Sequence, residues 1–314
     1  MKIEDDLVGP AKVVWHRFIE RTAPVRPELF RYCRSLTGSV WDAEDLAQDT
    51  MMRAFARLSQ VSDPIQNAKA YLFKIASNLW IDRLRVRREF VSDQIPEAPP
   101  QESPQPHEVR DAASQLFAKL PPVERAAVLL KDVFDFTLEE TASALDSTAG
   151  AIKAALHRGR AKLHQPPNEP AVSKSNSQNA NPALVERFME AFNARDVGQL
   201  TTLMREDASS EMVGMFIEHG GDAIAKSGKG VLHHTFASPE NWRGEVRDFK
   251  GEPIGLLWAA RDGAREAVAS IVRIEQREEK ISRLRYYFFC PETLAEVCAE
   301  LGVPVRTNGY RPTW

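Results

Sequence analysis

Two stretches of this chain hold too little apolar surface to fold, and they decide how the rest is organised. Residues 91–107, VSDQIPEAPPQESPQPH, carry five prolines and no apolar periodicity. Residues 165–182, QPPNEPAVSKSNSQNANP, are dominated by Pro, Ser, Asn and Gln. Such compositions cannot offset the entropy of ordering a backbone, so both stretches are expected to be extended linkers. They cut the 314 residues into three pieces, 1–90, 108–164 and 183–314. An apolar fraction of 43% supplies each piece with material for a core.

The net charge is −3, so any affinity for nucleic acid must be local rather than global. Three cysteines, Cys33, Cys290 and Cys298, have no metal-ligand spacing and are expected to be buried, reduced thiols. The N-terminus, MKIEDDLVGP, is acidic and does not read as a signal peptide. The longest uncharged apolar run, IGLLWAA at 254–260, is far too short to span a bilayer. These features predict a cytoplasmic protein without membrane, cofactor or metal.

The first piece is helical in pattern. In DAEDLAQDTMMRAF, 42–55, the residues Ala47, Met51, Ala54 and Phe55 share one stripe with Leu58. Asp45, Gln48, Asp49 and Met52 fall on the opposite side, which therefore presents acid and amide. Acids in a first turn also suit the helix macrodipole, so this pattern alone does not define a site. Farther on, residues 69–90 carry six basic side chains, Lys69, Lys74, Arg83, Arg85, Arg87 and Arg88, against Asp82 and Glu89. Ala68, Leu72, Ile75 and Leu79 form the expected buried stripe of that helix. Phe73 and Trp80 share another face, suited to packing or to stacking on unpaired bases.

The second piece contains FTLEETASALDSTAGAIKAALHRGRAKLH, 136–164. Leu138, Ala142 and Leu145 make one stripe; Asp146, Ser147 and Thr148 break it; Ile152, Leu156 and Leu163 make a second. Two short helices around a tight turn predict a helix-turn-helix, with Ser147 or Thr148 capping the second helix. Lys153, His157, Arg160 and His164 recur on the face away from the core, with Arg158 and Lys162 between them. An apolar back and a donor-rich front suit a helix lying in a DNA major groove.

The third piece starts with a predicted helix, ALVERFMEAFNARDVGQLTTLMRED, and continues into strands at 266–274 and 282–290. All-α pieces followed by an α+β piece are the expected architecture.

These motifs resemble bacterial RNA polymerase sigma factors of the extracytoplasmic-function group. DAEDLAQDTMMRAF is similar to their region 2.2, AYLFKIASNLWIDRLRVRR to regions 2.3 and 2.4, and residues 120–163 to region 4. The resemblance implies that Asp45, Gln48 and Asp49 dock on the β′ coiled coil of core polymerase, whose β flap is a second contact. Asn78, Arg83, Arg85, Arg87 and Arg88 would meet the −10 element, and the loop at 59–68 would hold bases flipped from it. Thr148, Lys153, His157, Arg158 and Arg160 would read the −35 element. No residue is catalytic in this scheme. Residues 183–314 resemble SnoaL-like cone-shaped domains, which implies a regulatory role and leaves room for an anti-sigma factor or a small ligand. His219, Asp222, His233 and His234 are the cluster to weigh for chemistry there. The rival readings are a helix-turn-helix repressor or ligand-sensing regulator acting without polymerase, and a SnoaL-like isomerase or cyclase fused to a DNA-binding head.

Overall fold

The computed structural model describes residues 5–58, 65–91, 117, 119–163, 180–226, 230–260 and 265–310. Most of both predicted linkers lies outside these residues. The chain forms two compact units, Met1–Lys174 and Ser175–Trp314.

The front unit is helical. Helix α1 (Asp5–Thr22) places Trp15 and Phe18 against Phe55 of α3 (Val40–Arg57), with ring centroids 5.0 and 5.6 Å apart. Helix α2 (Arg26–Thr37) begins with a proline in its first turn, where the missing N–H has no intrahelical partner to lose. It ends at Gly38, whose φ of +79° lets its N–H return to the Arg34 carbonyl at 3.0 Å. Ser39 then caps α3 by accepting from the Asp42 N–H. On α3, Ala47, Met51 and Ala54 are buried as their spacing predicts.

Helix α4 (Ala68–Val91) departs from its predicted single stripe. Leu72 and Ile75 are buried, but so are Phe73, Ala76, Ser77 and Trp80. A second group of helices packs on that other face. These are α5 (Pro122–Val128), one turn of π-helix (Leu129–Val133), α6 (Leu138–Ala144) and α7 (Ala149–Leu163). Phe73 and Trp80 are therefore packing residues.

The helix-turn-helix is formed by α6 and α7. Thr137 and Glu140 make a reciprocal capping box at the start of α6. Thr148 caps α7 by accepting from the Ala151 N–H at 3.2 Å. Asp146 turns the chain between them with φ of +46°. Ala142, Ile152, Ala155 and Leu156 form a core with Leu120, Ala127 and Val128 of the preceding helix. Gly159 brings α7 close to α5, since a Cβ there would stand 2.8 Å from the Val128 methyl.

The rear unit is α+β. The predicted helix through Asp207 is two helices, α8 (Pro182–Asn193) and α9 (Val197–Leu203), divided at Arg195, which has φ of +55°. Met204 already opens strand β1 (Met204–Met212). Five further strands follow: β2 (Phe216–His219), β3 (Asn241–Phe249), β4 (Glu252–Ala260), β5 (Ala267–Arg277) and β6 (Lys280–Tyr286). The sheet order is β2-β1-β6-β5-β4-β3, with β1 and β6 parallel and every other pair antiparallel. Phe188, Met189 and Phe192 of α8 pack with Leu257, Val272, Ile274 and Leu284 of the sheet. Gly255 leaves the space for this, because a Cβ would meet the Met189 methyl at 1.9 Å. Two short helices, α10 (Gly221–Lys226) and α11 (Val231–Ala237), precede β3, and α12 (Pro291–Glu300) follows β6. All three cysteines are buried, and burial pushes the Cys33 and Cys298 thiols up to about 12. Among the described residues no helix is long and apolar enough to cross a membrane.

Candidate nucleic-acid interface

On α3 the run of acids divides by helical phase. Asp49 and Met52 are exposed, while Asp45 and Gln48 are half-buried. Glu44 is fully buried and pairs with Arg26 of α2 at 2.5 Å. The same Glu44 oxygen accepts from the Gln48 amide at 2.7 Å. Gln48 is thus held in place at the edge of the face by an interior carboxylate. This arrangement was legible in part, since Glu44 lies three residues before Ala47 and seven before Met51, on the buried stripe.

The two electrostatic surfaces read from the sequence meet. Arg83 of α4 hydrogen-bonds Asp49 of α3. Arg85 is exposed, with Asp82 3.6 Å away. Asn78 and Lys74 both turn toward Asp146 in the helix-turn-helix. The Asn78 amide donates to one carboxylate oxygen at 2.8 Å and the Lys74 ammonium to the other at 2.6 Å. These two bonds, Lys74 first, hold the Asp146 carboxyl below its ordinary range. The side chains of Arg87 and Arg88 lie outside the described residues, as do residues 59–64 of the predicted base-holding loop. Asn67, at the end of that loop, caps α4 by accepting from the Ala70 N–H.

Helix α7 turns Ile152, Ala155, Leu156 and Gly159 inward and leaves Lys153, His157, Arg158 and Arg160 exposed. Lys153 and His157 have no ion-pair partner among the described residues. Arg160 is engaged bidentately by Asp132 at 2.6 and 2.9 Å, which raises its pKa. Arg158 and Lys162 both reach Glu124 at 2.8 Å. Burial works to raise the Glu124 pKa, but hydrogen bonds from Lys162 and Arg158 outweigh it and hold the carboxyl low. His164 lies outside the described residues. The Thr148 hydroxyl is exposed at the helix start, and its oxygen is already a cap acceptor.

Sequence reasoning assigned no role to Arg125 or Glu124, and gave Asp146 only a place in the turn. Each stands where a loop or short helix meets a distant element, and no local period reports such a meeting. In the rear unit, His219, Asp222, His233 and His234 are exposed, and Asp222 pairs with Lys226 at 2.8 Å. Among the described residues no group of three His, Cys, Asp or Glu side chains is placed to hold a metal ion.

Comparison with known proteins bears on this geometry. Residues 23–90 match the family Sigma-70 region 2, and residues 110–163 match Sigma-70, region 4. The RNA polymerase sigma-E factor of Streptomyces coelicolor is 32% identical over 139 residues, which cover 44% of this chain and 78% of that protein. The ECF RNA polymerase sigma factor EcfG of Rhodopseudomonas palustris is 32% identical over 141 residues, 44% of this chain and 77% of that one. Among solved structures, the extracytoplasmic function sigma factor SigJ of Mycobacterium tuberculosis aligns over 88% of this chain and 98% of its own, with a TM-score of 0.34 and 20% identity.

Proposed function

The chain belongs to the extracytoplasmic-function group of RNA polymerase sigma factors, and from that premise we propose how its residues divide the work. It is an alternative sigma factor: it joins core RNA polymerase and directs initiation at particular promoters. Asp45, Gln48 and Asp49 form the polymerase-docking face of α3. Asn78, Arg83, Arg85, Arg87 and Arg88 face the −10 element. Thr148, Lys153, His157, Arg158 and Arg160 face the −35 element. These residues make and break no covalent bond. They position duplex and single strand, through phosphate contacts for affinity and a few base contacts for selectivity.

One observation carries the reading most strongly. A face with acid and amide groups on α3 and a cationic face on α7 are held in one helical unit. An acidic face repels phosphate, and a cationic helix attracts it. The first suits a basic protein surface, and the second suits DNA. The SnoaL-like rear unit is assigned a packing and regulatory role, and the exposure of its four candidate polar residues supports that assignment.

Run-off transcription with bacterial core polymerase and the full chain tests the proposal. A library of genomic fragments should yield start sites that appear only when the chain is added. Binding to promoter duplex without polymerase, with no such start sites, would favour a repressor instead.

A further inference from the structure

Helix α7 carries two arginines two residues apart, and the acids beside it hold them in different ways. Arg160 is gripped along one whole edge: its Nε donates to one Asp132 oxygen at 2.9 Å and a terminal nitrogen donates to the other at 2.6 Å. One carboxylate there cancels one guanidinium. Arg158 is held at a single point, its Nε on a Glu124 oxygen at 2.8 Å. The other Glu124 oxygen accepts from the Lys162 ammonium, also at 2.8 Å. That carboxylate is shared between two cations, so the three groups keep a net positive charge. Both terminal nitrogens of Arg158 are without a partner among the described residues, and its side chain is 57% exposed against 8% for Glu124. Gly159 lets the two helices come this close, since a Cβ there would stand 2.8 Å from the Val128 methyl and 3.6 Å from the Glu124 Cβ.

We propose that Glu124 is a positioning residue for the −35 contact and Asp132 a silencing one: Glu124 holds Arg158 ready to read a guanine, and Asp132 withholds Arg160. The inference rests on the assignment of α7 to the −35 element and sharpens it, because of the two arginines that face the element only one reads it. A guanidinium donates in parallel from two edges, one holding Nε and one between its terminal nitrogens. Glu124 takes only Nε of Arg158 and leaves the outer edge open. Two parallel N–H groups match the O6 and N7 acceptors that guanine shows in the major groove. Arg158 can therefore add a base contact and keep the bond that orients it. Arg160 regains its charge for DNA only by giving up two charge-assisted bonds.

The test is selection from a pool of random-sequence duplexes by the full chain bound to core polymerase, followed by affinities for the selected duplex over a range of salt. Wild type should fix a guanine in the −35 element with a preference of about tenfold or more. Replacing it by 7-deazaguanine, which lacks the N7 acceptor, should weaken wild type and leave Arg158→Lys unmoved. Arg158→Lys keeps the charge but not the paired donors, so it should lose the guanine preference with an unchanged salt slope. Glu124→Gln should lose the preference too, although it has one negative charge fewer and should bind random duplex more tightly, with a slope steeper by about 1. Asp132→Asn should keep the preference and show the same steeper slope, because Arg160 is released. Thermal melting reports the folding of each variant, and the exposed positions Arg158 and Asp132 keep the test decisive if Glu124→Gln melts early. A guanine preference that survives in Arg158→Lys or in folded Glu124→Gln would overturn the positioning role. Wild-type binding indifferent to 7-deazaguanine would overturn the guanine contact. An unchanged slope in Asp132→Asn would overturn the silencing. Wild-type holoenzyme that selects no sequence at all would overturn the promoter reading itself, and this proposal with it.

Discussion

Glu44 and its neighbours show how one residue's phase changes its meaning. Asp42, Glu44, Asp45 and Asp49 look alike in the sequence, yet only Glu44 is fully buried, against Arg26. Buried pairs tolerate the loss of one partner badly, because the survivor keeps the cost of leaving water. Glu44→Ala should therefore destabilise the front unit by about 3–5 kcal/mol, measured by urea denaturation. Glu44→Gln, which keeps the hydrogen bonds, should cost less. A loss below about 1 kcal/mol for the alanine variant would mean that Arg26 finds other partners. The exposed face was legible because period and residue type agreed. Glu44 was harder, since a carboxylate on an apolar stripe is uncommon and its partner lies on another helix.

At the scale of elements, turn chemistry and periodicity located α3, α6 and α7 well. Thr148 caps α7, as read from local residue types, whereas the close approach of α7 to α5 at Gly159 is seen only in the structure. Long-range packing was less legible. Phe73 and Trp80 lie off the predicted stripe of α4, and only the second helical group explains their burial. Likewise, nothing local distinguishes MRED as the start of a strand from the last turn of a helix; its pairing with β6 does. Helix α7 yields a prediction of its own. Lys153 is exposed and has no ion-pair partner among the described residues, so it is available to a phosphate. Lys153→Ala should reduce the slope of log affinity against log salt by about 1, read by fluorescence anisotropy with promoter duplex and polymerase holoenzyme. Arg160→Ala should change the slope less, because Asp132 already neutralises that guanidinium. Equal slopes for wild type and Lys153→Ala would remove Lys153 from the DNA face.

The whole molecule joins a helical front unit, Met1–Lys174, to an α+β rear unit, Ser175–Trp314. The packing of α4 on α5 and α6 was not legible residue by residue, because no local period in either segment reports it. Rings from segments more than forty residues apart, Tyr32, Phe73 and Phe134, make that contact, together with Arg125 on the Leu36 carbonyl and Asp146 on Lys74. The central claim remains the α3 face. Its most direct test is the equilibrium affinity of the full chain for core RNA polymerase, comparing wild type with Gln48→Ala and Asp49→Ala, each checked for unchanged thermal melting. The account predicts at least a tenfold weaker complex for the double variant. Affinity equal to wild type in a folded double variant would contradict it.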